Sequence, residues 1–246
     1  MENVIEYLGT NLEFVCNTLE LSNEEYALKR KDSLGASDSS VLLDVNLYKN
    51  KDQLITEKQS KFLTDEEKEV GKKPAVKKGR DLEPFVLDKF REATKLEVIK
   101  PADMWRHKEF SYLTTNFDGI TYEEGFIPVE AKIVTKYGEK YYKKHMELNK
   151  NLKVIVDAEQ DLIAHIKHWA DKCGIPPYYY TQVQQQIMFL DSEEYKCPYG
   201  YLACIFDDSW DFGYFFIPRD DLVISHIISS GAKLWERVLD GSNRRS

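Results

Sequence analysis

Residues Asn116 to Val134 read Asn-Phe-Asp-Gly-Ile-Thr-Tyr-Glu-Glu-Gly-Phe-Ile-Pro-Val-Glu-Ala-Lys-Ile-Val. Two short runs with strand character flank a Glu-Glu-Gly turn, the pattern of a hairpin. Asp118 stands near the start of the first run, and Glu130 and Lys132 stand two apart on the second. Successive side chains of a strand point to opposite faces. Glu130 and Lys132 therefore share one face, and Val129, Ala131 and Ile133 take the other. Charged groups within an otherwise buried strand are costly unless they are paired or bound to a metal.

Two carboxylates that converge beside an ammonium have a chemical use. Asp118 and Glu130, with the backbone carbonyl of Ala131, form an oxygen donor set suited to Mg²⁺, with Mn²⁺ as a substitute. Such an ion acidifies a water and neutralises charge on a phosphate. Lys132 would hold that water or the charge that develops. No histidine, serine or cysteine is placed as a covalent nucleophile, which agrees with direct attack by water. The pattern points to a metal-dependent nuclease; a purely structural Glu130–Lys132 pair is the bland alternative.

Upstream, residues 1–21 read as a short helix or a packing arm. Ser22-Asn23-Glu24-Glu25 reads as a capped helix start. That helix carries Arg30 and leads into Asp32-Ser33-Leu34-Gly35-Ala36-Ser37-Asp38, a tight turn before the next helix. Such a turn offers N–H groups and the Ser37 hydroxyl to an anion such as a DNA phosphate, and Asp38 opposes this unless it points away. Residues 64–78 are polar and rich in lysine, and read as a charged, solvated insertion. The helix that follows carries Leu82, Phe85, Val86, Leu87 and Phe90, with Glu83 on its edge.

Downstream, Lys136 to Lys144 mixes lysines with Tyr137, Tyr141 and Tyr142, a composition suited either to nucleic acid or to a plain surface helix. A helix is expected from Asp157 to a stop at Gly174-Ile175-Pro176-Pro177, with Ala158, Leu162, Ile166 and Trp169 on one face and His165 and His168 as packing or surface groups. Tyr178 to Leu190 reads as a further helix, on which Gln182 and Gln186, four apart, share a face. Their amides can bind phosphate oxygens or orient the lysine. A hairpin over Tyr201–Phe206 and Phe212–Ile217 and a closing helix at 220–240 complete the chain.

At 246 residues this is most economically one domain. The net charge of −8 argues against a protein that coats nucleic acid over its whole surface, though not against a basic groove. Cys16, Cys173, Cys197 and Cys204 form no Cys-x-x-Cys pair, and no apolar run is long enough to span a bilayer. A cytoplasmic setting without membrane attachment is the expectation. The order of elements gives an α/β domain with a mixed central β-sheet flanked by helices.

The motifs in order resemble the YqaJ-like viral recombinase family, the lambda-exonuclease-like alkaline exonucleases of the PD-(D/E)xK superfamily. Tyr26 to Asp38, Leu47-Tyr48-Lys49, Glu57-Lys58, Gly79 with Leu82-Glu83-Pro84, Asn116 to Gly119, Glu130-Ala131-Lys132 and Tyr180 to Met188 carry the likeness. Phe117, Ser33 and Gln185 depart from it, where the family has proline, glycine and histidine. The resemblance implies a restriction-endonuclease-like core and a Mg²⁺-dependent 5′→3′ exonuclease acting on double-stranded DNA ends. It also implies a trimeric ring and a single-strand annealing partner. By it, Asp118, Glu130 and the Ala131 carbonyl bind metal, Lys132 handles the water, and Glu83 supports the metal. Gln182 lies beside the scissile phosphate or Lys132. Arg30 and Ser37 grip the 5′ phosphate, and Gln186 belongs with these phosphate contacts. A PD-(D/E)xK endonuclease and an inactive DNA-binding module are the competing readings.

Overall fold

The computed structural model describes residues 11–134, 152–155 and 161–243. The lysine–tyrosine run at 136–144 and the start of the helix expected from Asp157 lie outside the described residues.

The central sheet has the strand order β3-β6-β7-β8-β9, made from β3 (Val98–Ile99), β6 (Gly119–Tyr122), β7 (Phe126–Val134), β8 (Tyr199–Phe206) and β9 (Phe212–Pro218). Only β7 and β8 run parallel; the other pairs are antiparallel, so the sheet is mixed as expected. A second sheet, β1-β4-β5-β2, is built from β1 (Leu12–Asn17), β2 (Leu34–Gly35), β4 (Asp103–His107) and β5 (Leu113–Asn116). Leu12–Asn17 is thus a strand rather than a helix or an arm. It pairs with β4 across some ninety residues of chain, a partner no local pattern reveals.

The helices are α1 (Asn23–Lys29), α2 (Ser39–Leu42), α3 (Lys51–Gln59), α4 (Asp65–Val70), α5 (Pro74–Thr94), α6 (Leu162–Cys173), α7 (Pro177–Phe189) and α8 (Asp221–Asn243). Ser22 and Glu25 close a capping box on α1, as the acids in its first turn suggest. The 64–78 stretch is not a loop: Thr64 and Glu67 cap α4, and Pro74 opens a helix that continues for 21 residues.

Two helices enclose the central sheet. Phe90 of α5 meets Tyr201, the register partner of Val129, at 5.2 Å between ring centroids. α5 therefore covers the face that carries Val129. On the opposite face α7 comes so close to β8 that a Cβ on Gly200 would lie 2.6 Å from Val183, so a side chain there would push the helix away. Three buried glutamines of α7 are tied to its surroundings. Gln184 bonds the Pro218 carbonyl and the Asp220 N–H. Gln185 donates to the carbonyls of Leu34 and Thr114 on the paired strands β2 and β5. Gln186 reaches β7. Leaving one such buried partner unmade costs about 1–3 kcal/mol, so these amides fix the position of α7 against both sheets.

Candidate active site

The chain passes from the second sheet to the first between Asn116, the last residue of β5, and Gly119, the first of β6. Asp118 sits at that crossing. Gly119 pairs with Val129, and this register brings the Asp118 carboxylate beside β7, where Oδ2 accepts the Ala131 N–H at 2.9 Å. Glu130 and Lys132 point from β7 toward α7, the shared face expected from their spacing. Glu130 is only 2 % exposed. Its Oε1 pairs with the Lys132 ammonium and accepts Gln182 Nε2 at 2.6 Å. Its Oε2 accepts Gln186 Nε2, also at 2.6 Å.

A cavity of about 220 Å³ opens over these groups, lined by Asp118, Glu130, Lys132 and Gln182 on one side and Tyr26, Arg30, Ser37, Met104 and Asn116 on the other. Arg30 Nη2 donates to Ser37 Oγ at 2.8 Å. Asp38 does point away: its carboxylate accepts the Gly35 N–H at 3.0 Å and pairs with the buried Lys58 at 2.9 Å. Burial opposes its ionisation, but Lys58 and Arg30 outweigh that and hold its pKa below the usual carboxylate value. Arg30 and Ser37 also form part of the wall of an adjoining cavity of about 350 Å³. A larger space of about 800 Å³ between α3 and α4 shares no residue with the acid cluster. Charge, not volume, marks the site.

Two expected residues sit differently. Glu83 does not line the cavity and pairs with Lys100 at 2.8 Å, although its charge still reaches Asp118. Gln186 is buried and committed to Glu130, so it holds a carboxylate rather than facing a phosphate. Tyr179 was not singled out by sequence, yet Lys132 Nζ lies 5.5 Å from its ring centroid. The signal was available, because Tyr179, Gln182 and Gln186 follow i, i+3, i+7 spacing on one helix face. His165 is a packing group, buried and bonded to Asp220 at 2.8 Å.

Burial, then the adjacent Glu130 charge and then Glu83, push the Asp118 pKa well above the usual carboxylate range, against the pull of Lys132. Burial works against the Lys132 charge, but Glu130 and Asp118 overcome it and raise its pKa. One ammonium thus faces two acids, the buried Glu130 and the half-buried Asp118. The donors are hard oxygens, which fits a divalent cation of the Mg²⁺ type. Among the described residues no group of three or more His, Cys, Asp or Glu side chains is placed to hold a metal.

The model of the YqaJ-like viral recombinase domain matches residues 25–192. The chain belongs to that family. It is 25 % identical over 230 residues to the Bacillus subtilis (strain 168) protein YqaJ, covering 93 % of this chain and 60 % of that relative. It therefore spans less than two thirds of the relative's length. Its fold resembles the alkaline exonuclease LHK-Exo of Laribacter hongkongensis, with a TM-score of 0.57, 17 % identity, and coverage of 90 % of this chain and 95 % of that one. A phage-related exonuclease of Haemophilus somnus 129PT aligns with a TM-score of 0.53, 13 % identity, and coverage of 87 % and 96 %. The YqaJ-like member thus has the PD-(D/E)xK restriction-endonuclease-like fold. No described helix is long and apolar enough to cross a membrane.

Proposed function

We propose that this chain is a metal-dependent nuclease that hydrolyses phosphodiester bonds of linear double-stranded DNA from its ends, in the 5′→3′ direction, during recombination. The observation that carries this is the meeting of Asp118, Glu130 and Lys132 in one cavity with Arg30 and Ser37 opposite. Proteins of the same fold are described as exonucleases, which supports the choice of reaction.

Asp118, Glu130 and the Ala131 carbonyl would hold Mg²⁺, with Mn²⁺ able to replace it. The ion supplies charge neutralisation at the scissile phosphate and a more acidic water. Gln182 and Gln186 hold the Glu130 carboxylate in one orientation, so little reorganisation is needed when substrate arrives. Lys132, an ammonium fixed between Glu130 and the Tyr179 ring, donates to the attacking water or to the charge that grows on the phosphate. Arg30 and Ser37, already bonded to each other, present an N–H and hydroxyl pair to a terminal phosphate. Glu83 acts at a distance through its charge. Self-association as a trimer, a single-strand annealing partner and a setting in a bacterial host cytoplasm accompany this function.

The test is end-labelled linear duplex against closed circular duplex, each with Mg²⁺. Release of nucleotides from 5′ ends of the linear form alone is expected. Cutting of the closed circle makes the protein an endonuclease, and no cleavage of either removes the proposal.

A further inference from the structure

Residues 72–80 read Lys-Lys-Pro-Ala-Val-Lys-Lys-Gly-Arg, five cations and no acid in a chain whose net charge is −8. Their place in the fold gives this run a direction. Arg80 and Leu87 are seven apart and so lie along one line of α5, with Lys77 beside it and Lys73, the N-cap, just ahead of the first turn. At its lower end this line packs on the sheet face opposite Glu130 and Lys132: a Cβ on Gly119, the partner of Val129 and the residue after Asp118, would sit 3.1 Å from Leu87. One turn up, the Glu83 charge acts on both Asp118 and Tyr26. A turn further, Arg80 Nη1 donates to Asn23 Oδ1 at 3.0 Å, on the helix whose Tyr26 lines the cavity. Beyond Arg80, residues 72–77 are all exposed. Lys72 and Lys78 are engaged by Glu69 and Asp207, and Arg80 by Asn23 and Asp81, which leaves Lys73 and Lys77 as the exposed cations of the run beyond Arg80.

We infer that this stripe is a track for the sugar-phosphate backbone of the duplex that feeds the active site. This rests on the nuclease proposal and adds to it the surface that carries the substrate. At 1.5 Å per helical residue the cations run about 10 Å from Arg80 to Lys73. That matches about three base-pair steps at 3.4 Å each. A phosphate backbone is the polyanion whose charge and repeat suit exposed cations spaced along a rigid rod, and such contacts position the duplex without reading its sequence.

The experiment compares wild type, Lys73→Gln/Lys77→Gln, and a control pair of equal charge change on distant helices, Lys172→Gln/Lys233→Gln. Duplex binding is read by fluorescence anisotropy in EDTA, where cleavage is off, across a range of salt. Losing two phosphate contacts should reduce the slope of log K against log salt by about 1.8, at 0.9 per contact. The control should keep the wild-type slope. With Mg²⁺, the Lys73/Lys77 variant should show a KM raised several-fold with kcat unchanged, the signature of lost uniform binding. Equal slopes for wild type and the Lys73/Lys77 variant overturn the track, as does an equal loss in the control. Wild-type cleavage decides the nuclease proposal separately, so a protein that cuts DNA but keeps its slope refutes the track alone.

Discussion

Gln186 Nε2 donates to Glu130 Oε2 across 2.6 Å, from the helix that covers the sheet to the strand beneath it. Both side chains are buried, so the amide is the counter-dipole that makes a carboxylate tolerable there. Replacing Gln186 by leucine keeps much of the volume and removes the donor. The cost should be about 1–3 kcal/mol in urea unfolding, with weaker Mg²⁺ binding because Glu130 loses its fixed orientation. Unchanged metal affinity in a folded variant would show that the amide does not position Glu130.

Asp118→Asn should stabilise the metal-free protein while abolishing cleavage. The raised Asp118 pKa means that its protonated form suits the fold, so its contribution is present at low pH and is lost as pH rises through the folded value. An asparagine keeps an acceptor for the Ala131 N–H without the charge. In EDTA the variant should melt higher than wild type, by an amount that grows with pH. Mg²⁺ should raise the Tm of wild type only. A variant that melts lower at pH 8 contradicts the charge-repulsion account.

His107 makes stability sensitive to acid. Its Nδ1 accepts N–H groups from Glu109 and Phe110, both at 3.2 Å, and burial lowers its pKa from 6.5 to about 4. Its contribution is fully present above pH 6.5 and is lost as pH falls to about 4. The loss amounts to ~3 kcal/mol at 1.36 kcal/mol per pH unit. His107→Gln should flatten that part of the stability–pH curve. A difference between the two proteins that stays constant from pH 7 to pH 4 would rule this out.

The buried Asp38–Lys58 pair fixes the turn that presents Ser37. Lys58→Met should cost about 3–5 kcal/mol by stranding a buried carboxylate, and Asp38→Asn in the same chain should recover part of it. Thermal unfolding of the single and double variants measures this coupling, and strictly additive effects would refute it.

The central site was legible because a strand's two-residue period is local: Glu130 and Lys132 share a face from spacing alone. The four-residue spacing of Gln182 and Gln186 was equally local, and both amides do meet one carboxylate. Which atoms they meet was not legible, since that depends on the depth at which α7 settles, set by contacts such as Gly200 with Val183. The strand at Leu12–Asn17 was missed because its partner β4 lies far along the chain. The helices within 64–78 were missed because their apolar face is slight; the Thr-x-x-Glu capping box at Thr64 and Glu67 was the available sign. The Lys58 partner of Asp38 comes from a different helix, which no spacing rule connects.

The proposed chemistry rests on Asp118, at the crossing before β6, and Glu130 of β7 meeting beside the Lys132 ammonium, where they would hold one cation. The most direct measurement is Mg²⁺-dependent nucleotide release from linear duplex by Lys132→Ala beside wild type, with folding checked by thermal melting. Release should fall by roughly 10²-fold or more while the variant stays folded, as for loss of one preorganised donor to developing charge. Release at the wild-type rate would contradict the assignment.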